Sequence, residues 1–412
     1  KKHEVPIVLD PVGCHAGAYR LSVVLDLIKT DAISLLRGNQ SEIKAIYDAL
    51  NINHKVDSSL SGKGVDGEQV EDSAIITYRL ARQINCPVIA TGEEDYVSDG
   101  IRVFTVPYGH SIMTAVTGTG CLLGAVLAAF FSSYCPFMYN MSIGEFLAYT
   151  LAYYGLAGES AVKASGVKPG SFSVAFLDAL YEFDDVMLLS ENRIRPVVVP
   201  DQLKVYFISG TQDVGFNESH LLDIVEAACR GGVTCFQFRE KGIGTLEGQQ
   251  KLELAQQLKE ICAMYNVLYI INDDVDLAVA VNADGVHVGQ EDMHLEEVRN
   301  LVGHKVVGIS IHSVEELHKT DVIYADCVGV GPMYATSSKP DAQVPCGPNR
   351  ITELQAEGLT LPCVGIGGIT LDNAKPVIQA GACGVAVISA IAHADSPYEA
   401  AQQFKHLVDS TI

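Results

Sequence analysis

The sequence predicts an α/β protein in two parts, the second of them an eight-stranded parallel (β/α)8 barrel. Three observations carry that prediction. The chain has 412 residues, too many for one ordinary core and suited to two domains, or three. From residue 205 onward, short β-branched runs alternate with helix-like segments, the pattern of parallel pairing. Around 184–203, DDVMLLSENRIRPVVVPDQL breaks the helical rhythm with charges and two prolines and reads as a linker. The expected division is 1–188, a linker at 189–202, and 203–412.

In the first part, IVLDP, AISLLRGN, PVIATG and RVFTVP alternate with helical runs and predict a doubly wound α/β layer. MTAVTGTGCLLGAVLAAFF (113–131) then opens a glycine-rich turn directly into an apolar helix. Its run LLGAVLAAFF is about half the ~20 residues a membrane span needs, so it predicts a buried helix. Free N–H groups and the positive dipole end face whatever sits at Gly118–Cys121, including Gly120. Cys121 in that first turn is either a small buried residue or, beside an anion pocket, a thiol of lowered pKa able to act as a base.

The second part presents VYFIS (205–209), CFQFRE (235–240), LYIIND (268–273), GVHVGQ (285–290), VVGISIH (306–312), CVGVGPM (327–333), PCVGIGG (362–368) and GVAVIS (384–389). LEGQQKLELAQQLKEICAMY and LDNAKPVIQAG are among the helical segments between them. Eight such units in about 200 residues fit a barrel whose site lies at the C-terminal strand ends.

Composition narrows the function. The net charge is −22, with 13 Lys/Arg against 28 Asp/Glu (−15) in 200–412 and 15 against 22 (−7) in 1–199. An acidic chain repels a nucleic-acid backbone, which disfavours nucleic-acid partners, and no run is long enough for a membrane partner. Eleven Cys without a CxxC pair or Cys/His cluster point to reduced thiols in the cytoplasm. The chain opens on KKHEVPIVLDPVG, without Met or signal segment, and a strand-like run starts at once.

The barrel can be tested within the sequence, because polar residues should gather where strands end. Strand two closes with Gln237, Arg239 and Lys241, and strand three with Asn272, Asp273 and Asp274. Gln290 and Asp292 follow strand four; strand five carries Ser310 and His312. Strand six, through GVGPMYATSSK, leads to Thr336, Ser338 and Lys339; Gly367-Gly368 and Ser389 end strands seven and eight. Asp273 and Asp292, on neighbouring strands, could share a cation, and oxygen-only ligands suit Mg2+. Arg239, Lys241 and Lys339 add the positive charge a departing diphosphate needs. Gly368 and Ser389 offer a second, monophosphate site. Two phosphorylated substrates in one mouth imply group transfer. Asp274 and Asp276 read as helix-start carboxylates, and His312 as structural or functional alike.

FQFREKG, INDDVDLA, ADGVHVGQED, VGVGPMYATSSK, VGIGGIT and ISAI, in that order, resemble thiamine phosphate synthase over 203–412. The resemblance implies that Gln237 and His287 form the aminopyrimidine pocket. It gives the diphosphate to Arg239, Lys241, Asn272, Ser310 and Lys339, and Mg2+ to Asp273 and Asp292. Thr336, Ser338, Gly368 and Ser389 would receive the thiazole phosphate. Ser338 stands where the family often has Thr and keeps the hydroxyl. The implied chemistry is dissociative substitution, with no protein nucleophile.

VLDPVG (8–13), LLRGNQSEI (35–43), VIATGEEDYVSDG (88–100), VTGTGC (116–121) and PGSFSVAFLDALY (169–181) resemble hydroxyethylthiazole kinase, of the ribokinase-like α/β fold. The resemblance implies that Asp10 and Glu42 organise Mg2+, that Arg37 and Thr91 contact ATP phosphates, and that Gly118 and Gly120 form an anion hole beside Cys121. It implies homo-oligomers built through this half. Cys14-His15 replaces a usual Val-Gly pair, and the family's front third is absent. A longer natural chain, or a separate segment, is therefore expected to complete the fold. The expected function is a bifunctional enzyme of thiamine synthesis acting on small pyrimidine and thiazole substrates. The alternative is a synthase whose first half is a non-catalytic scaffold or thiazole-binding module.

Overall fold

A computed structural model describes residues 5–51, 72–135, 141–182, 192–336 and 344–412. The chain divides into two compact units, 1–197 and 198–412. Among the described residues no helix is long and apolar enough to cross a membrane.

The first unit is built on one mixed sheet in the order β1 (Val8–Leu9), β2 (Leu35–Asn39), β3 (Val88–Thr91), β4 (Asp95–Ser98), β5 (Val103–Val106), β6 (Arg195–Pro196). β1, β2 and β3 run parallel, whereas β3 through β6 pair antiparallel. Alternation along the buried strands divides the core between the two faces of the sheet. Leu36, Val88 and Ala90 pack with Ile43, Ile46, Ile76 and Leu80 on one side. Leu35, Ile89, Val97 and Phe104 pack with Leu127, Leu151, Phe172 and Phe176 on the other. Helices thus cover both faces of this mixed sheet.

Two features depart from the sequence expectation. The predicted linker contributes β6, whose Arg195 and Pro196 lie opposite Thr105 and Phe104. The helix expected to be buried, Thr119–Ser133, buries Leu123 and Leu127 but leaves Phe130 exposed. Its residues are apolar all round, so composition cannot tell which face the sheet covers.

The second unit is a closed barrel of eight parallel strands: β7 (Val205–Ser209), β8 (Cys235–Phe238), β9 (Leu268–Asn272), β10 (Gly285–Val288), β11 (Val306–Ile311), β12 (Cys327–Val330), β13 (Cys363–Ile366) and β14 (Gly384–Val387). All eight predicted runs are present, and β14 closes on β7 through Val385 opposite Val205. Phe207, Phe236, Phe238, Tyr269, Val286, Val307 and Val385 join the main core beneath the helices. By the two-residue period, Tyr206, Gln237, Asn272, His287 and Ser310 then point into the barrel. Side-chain size is tuned around His287: a Cβ on Gly308 would stand 2.3 Å from its Nδ1, and one on Gly329 3.3 Å from its Cε1. Two glycine-bearing strands make room for one imidazole.

Candidate functional site

At the barrel mouth, Lys241, past the end of β8, places Nζ 2.6 Å from Oδ2 of Asp273, past the end of β9. The Asp292 carboxylate, which accepts from Gly289 N at 2.8 Å, lies close enough to Asp273 to act on its charge. Burial pushes the Asp273 carboxyl up, Lys241 opposes that shift, and Asp292 adds to it. Asp273 itself has φ 59°, a left-handed conformation uncommon outside glycine. Two crowded carboxylates with oxygen donors only form a set that a divalent cation would relieve. No group of three or more His, Cys, Asp or Glu placed to hold a metal ion on its own occurs among the described residues. A cation here would therefore need further oxygens from water or substrate, the usual situation of Mg2+.

Arg239 lies buried next to this cluster. Deeper in the barrel, Gln237 Nε2 donates to the Tyr206 hydroxyl at 2.8 Å, and His287 Nε2 meets Ser310 Oγ at 3.0 Å. Asn272 lies opposite His287 in the ladder. The expected pyrimidine and diphosphate residues of strands β8 to β11 are thus brought to one mouth. The loop after β12 is laced onto the end of β13, with Met333 N donating to Ile366 O (2.7 Å) and Tyr334 N to Gly367 O (3.0 Å). Gly368, at φ 63°, would carry a Cβ 2.4 Å from Ala335 O, so only glycine fits there. This lacing sets Tyr334 and Ala335, the residues just before Thr336, against Gly368. Ser389 opens the short helix after β14. Ser338 and Lys339 lie outside the described residues.

Asp274 caps the helix Val275–Ala280, accepting from Leu277 N at 3.0 Å, and Asp276 lies in its first turn, as read from sequence. His312 is held by Glu316 at 2.9 Å. Sequence reasoning missed the residues of strand β7 and its loop. Tyr206 orients the Gln237 amide, while Thr211 and Gln212 reach the backbone and carboxylate of Arg239–Glu240. Their only signal was position, an inward tyrosine and a polar SGTQD turn at a strand end.

In the first unit the expected residues also converge. Arg37, buried in the middle of β2, donates from Nη1 to Asp10 Oδ2 (3.0 Å) and from Nη2 to Thr91 Oγ1 (3.2 Å). Glu42 closes a capping box with Asn39, and its second oxygen accepts from Gly13 N at 2.7 Å. Both Glu42 oxygens being engaged by backbone, that carboxylate suits holding a water on a cation better than binding it directly. Burial raises the Asp10 carboxyl, Arg37 opposes that shift, and Glu42 adds to it. A Cβ on Gly120 would lie 3.5 Å from Arg37 Nη1, which sets the first turn of Thr119–Ser133 over the arginine. Gly118, at φ 101°, makes that turn possible. Cys121 is exposed there, whereas Cys14 is buried and pushed up to about 11 by burial and Glu42. All eleven cysteines are free thiols.

Residues 1–185 match the hydroxyethylthiazole kinase family, and residues 205–391 match thiamine monophosphate synthase. A protein of Symbiobacterium thermophilum described as the thiamine biosynthesis bifunctional protein ThiM/ThiE is 38% identical over 405 residues, 97% of this chain and 80% of its own length. A thiamine-phosphate synthase of Geobacillus thermodenitrificans is 50% identical over 209 residues, 51% of this chain and 93% of its own. One from Bacillus velezensis is 46% identical over 213 residues, 52% of this chain and 94% of its own.

Proposed function

We propose a two-step reaction sequence for this chain, which belongs to the family of bifunctional ThiM/ThiE proteins of thiamine biosynthesis. In the first half, 1–188, ATP phosphorylates hydroxyethylthiazole. Cys121 takes the proton of the substrate hydroxyl, Arg37 and Thr91 hold ATP phosphates, and the amides of Gly118 and Gly120 receive the transferring phosphoryl group. Asp10 and Glu42 would organise Mg2+ through its waters. In the barrel, 203–412, the C–O bond of the pyrimidine diphosphate breaks and the thiazole nitrogen forms the new C–N bond. The products are thiamine phosphate and diphosphate.

The observation that carries the barrel reading is the contact of Lys241, Asp273 and Asp292 beside Arg239. Bound between Asp273 and Asp292, Mg2+ would neutralise charge gathering on the leaving diphosphate. Arg239, Lys241 and Lys339 supply the fixed cations, and Asn272 and Ser310 fix the orientation. Gln237 and His287 hold the aminopyrimidine, while Thr336, Ser338, Gly368 and Ser389 hold the thiazole phosphate. Free thiols and the need for ATP agree with a cytoplasmic setting.

One coupled reaction tests both halves. The chain is given free hydroxyethylthiazole, Mg-ATP and the pyrimidine diphosphate, with ready-made thiazole phosphate in a parallel mixture. Thiamine phosphate from both mixtures is the expected result. Product from thiazole phosphate alone would leave the first half as a scaffold or binding module, and product from neither would overturn the assignment.

A further inference from the structure

FQFREKG places one carboxylate between two cations, yet Glu240 makes its hydrogen bonds elsewhere. Its side chain is 9% exposed and accepts three hydrogen bonds. Oε2 takes Thr211 N at 2.8 Å, and Oε1 takes the Thr211 hydroxyl at 2.5 Å and Leu246 N at 2.9 Å. Two of these donors are backbone amides, which cannot reverse. A carboxylate, which only accepts, satisfies both; a glutamine would turn its NH2 against one of them.

The two partners lie on opposite sides of the segment that matters. Thr211 belongs to the turn after β7, and Leu246 to the loop that carries Lys241. The backbone repeats the tie: Arg239 N donates to Ser209 O at 3.0 Å, and Gln212 Nε2 donates to Arg239 O at 2.7 Å. Gly210 permits this approach, because a Cβ there would stand 2.1 Å from Arg239 O. Beyond Glu240 the loop is held by the Lys241–Asp273 pair and by Thr245 Oγ1 donating to Gly242 O at 2.8 Å. The Lys241 side chain is 51% exposed, and Gly242 and Gly244 adopt φ 124° and 87°.

We infer that Glu240 is a positioning residue that fixes Arg239 and Lys241 together against the diphosphate without touching substrate. The inference rests on the reading of the barrel mouth given above and extends it. Positioning matters there because a displacement of about 1 Å in a charged clamp costs on the order of 100-fold in rate. A merely structural residue would weaken all ligands alike; this one acts on the diphosphate selectively.

The test uses the full chain with Glu240→Gln and, separately, Thr211→Val, which removes only the hydroxyl partner. Binding of Mg-diphosphate is measured by calorimetry, and KM is measured for each substrate. Glu240→Gln is expected to weaken Mg-diphosphate binding and raise the pyrimidine diphosphate KM about tenfold, with the thiazole phosphate KM unchanged. Thr211→Val should give the same selective shift, about threefold, and decides the matter if Glu240→Gln does not fold. Equal shifts for both substrates, or unaltered diphosphate binding in a folded variant, would overturn the inference. Wild-type chain that binds Mg-diphosphate but makes no thiamine phosphate would sink the proposed reaction instead, leaving this inference standing.

Discussion

Lys241 Nζ and Asp273 Oδ2 lie 2.6 Å apart, so the loop after one strand is tied to the strained end of the next. The same carboxylate also meets Asp292. A cation held by the two carboxylates would compete with the lysine and, on the proposed function, leave its ammonium for the diphosphate.

Asp273→Asn removes one negative ligand while keeping size. Synthase turnover should fall at least about 100-fold, and the Mg2+ concentration for half-maximal rate should rise about tenfold. Rates measured across a magnesium titration check this. Wild-type magnesium dependence in the variant would mean the cation sits elsewhere.

Arg37 bridges Asp10 and Thr91 with two nitrogens of one planar group, a span that lysine cannot reproduce. Arg37→Lys should therefore raise the KM for ATP about tenfold or more while leaving the synthase half untouched. Kinase and synthase assays on the same preparation separate the two effects.

Cys121 is exposed, while Cys14 is buried with its thiol pushed up to about 11. Iodoacetamide at neutral pH is expected to label Cys121, abolish kinase activity and spare Cys14. Peptide mapping after partial inactivation checks it. Cys121→Ala should lower kinase turnover with little change in ATP affinity; an unchanged rate would remove the thiol from the reaction.

Gly308→Ala would drive a methyl into the His287 ring. The ring must tilt away from Ser310, so the pyrimidine diphosphate KM should rise several-fold and stability fall by about 1–3 kcal/mol. Denaturation and substrate titration of the purified variant test both parts. A variant as stable as wild type would show that the imidazole has room to move.

Legibility followed periodicity. Each barrel strand announced itself because its outward residues, such as Phe236, Val286 and Val307, face helices and its flanks are polar. β4, DYVS, was not among the predicted runs because it follows two glutamates and is short; pairing with β3 and β5 makes it a strand. The candidate site was visible wherever a charged residue ended a strand. Tyr206, Thr211 and Glu240 were not, since a tyrosine, a hydroxyl and a carboxylate beside two cations have no distinctive spacing. Their roles arise from contacts about thirty residues apart, such as Gln237 with Tyr206 and Thr211 with Glu240.

β6 is two residues long, yet among the described residues it forms one margin of the first sheet. Arg195 and Pro196 lie along β5, and Val197 N donates to Val103 O at 2.9 Å. Arg193 pins the segment with a bidentate pair to Glu159 and stacks 4.1 Å from the Tyr108 ring centroid. Pro196 has no N–H to offer outward. A foreign strand approaching that margin finds a short rung lacking a donor, which disfavours extending the sheet there. A truncation just before residue 192 would strip this guard and uncover β5. Residues that read as a connection thus give the sheet a margin poor in pairing groups.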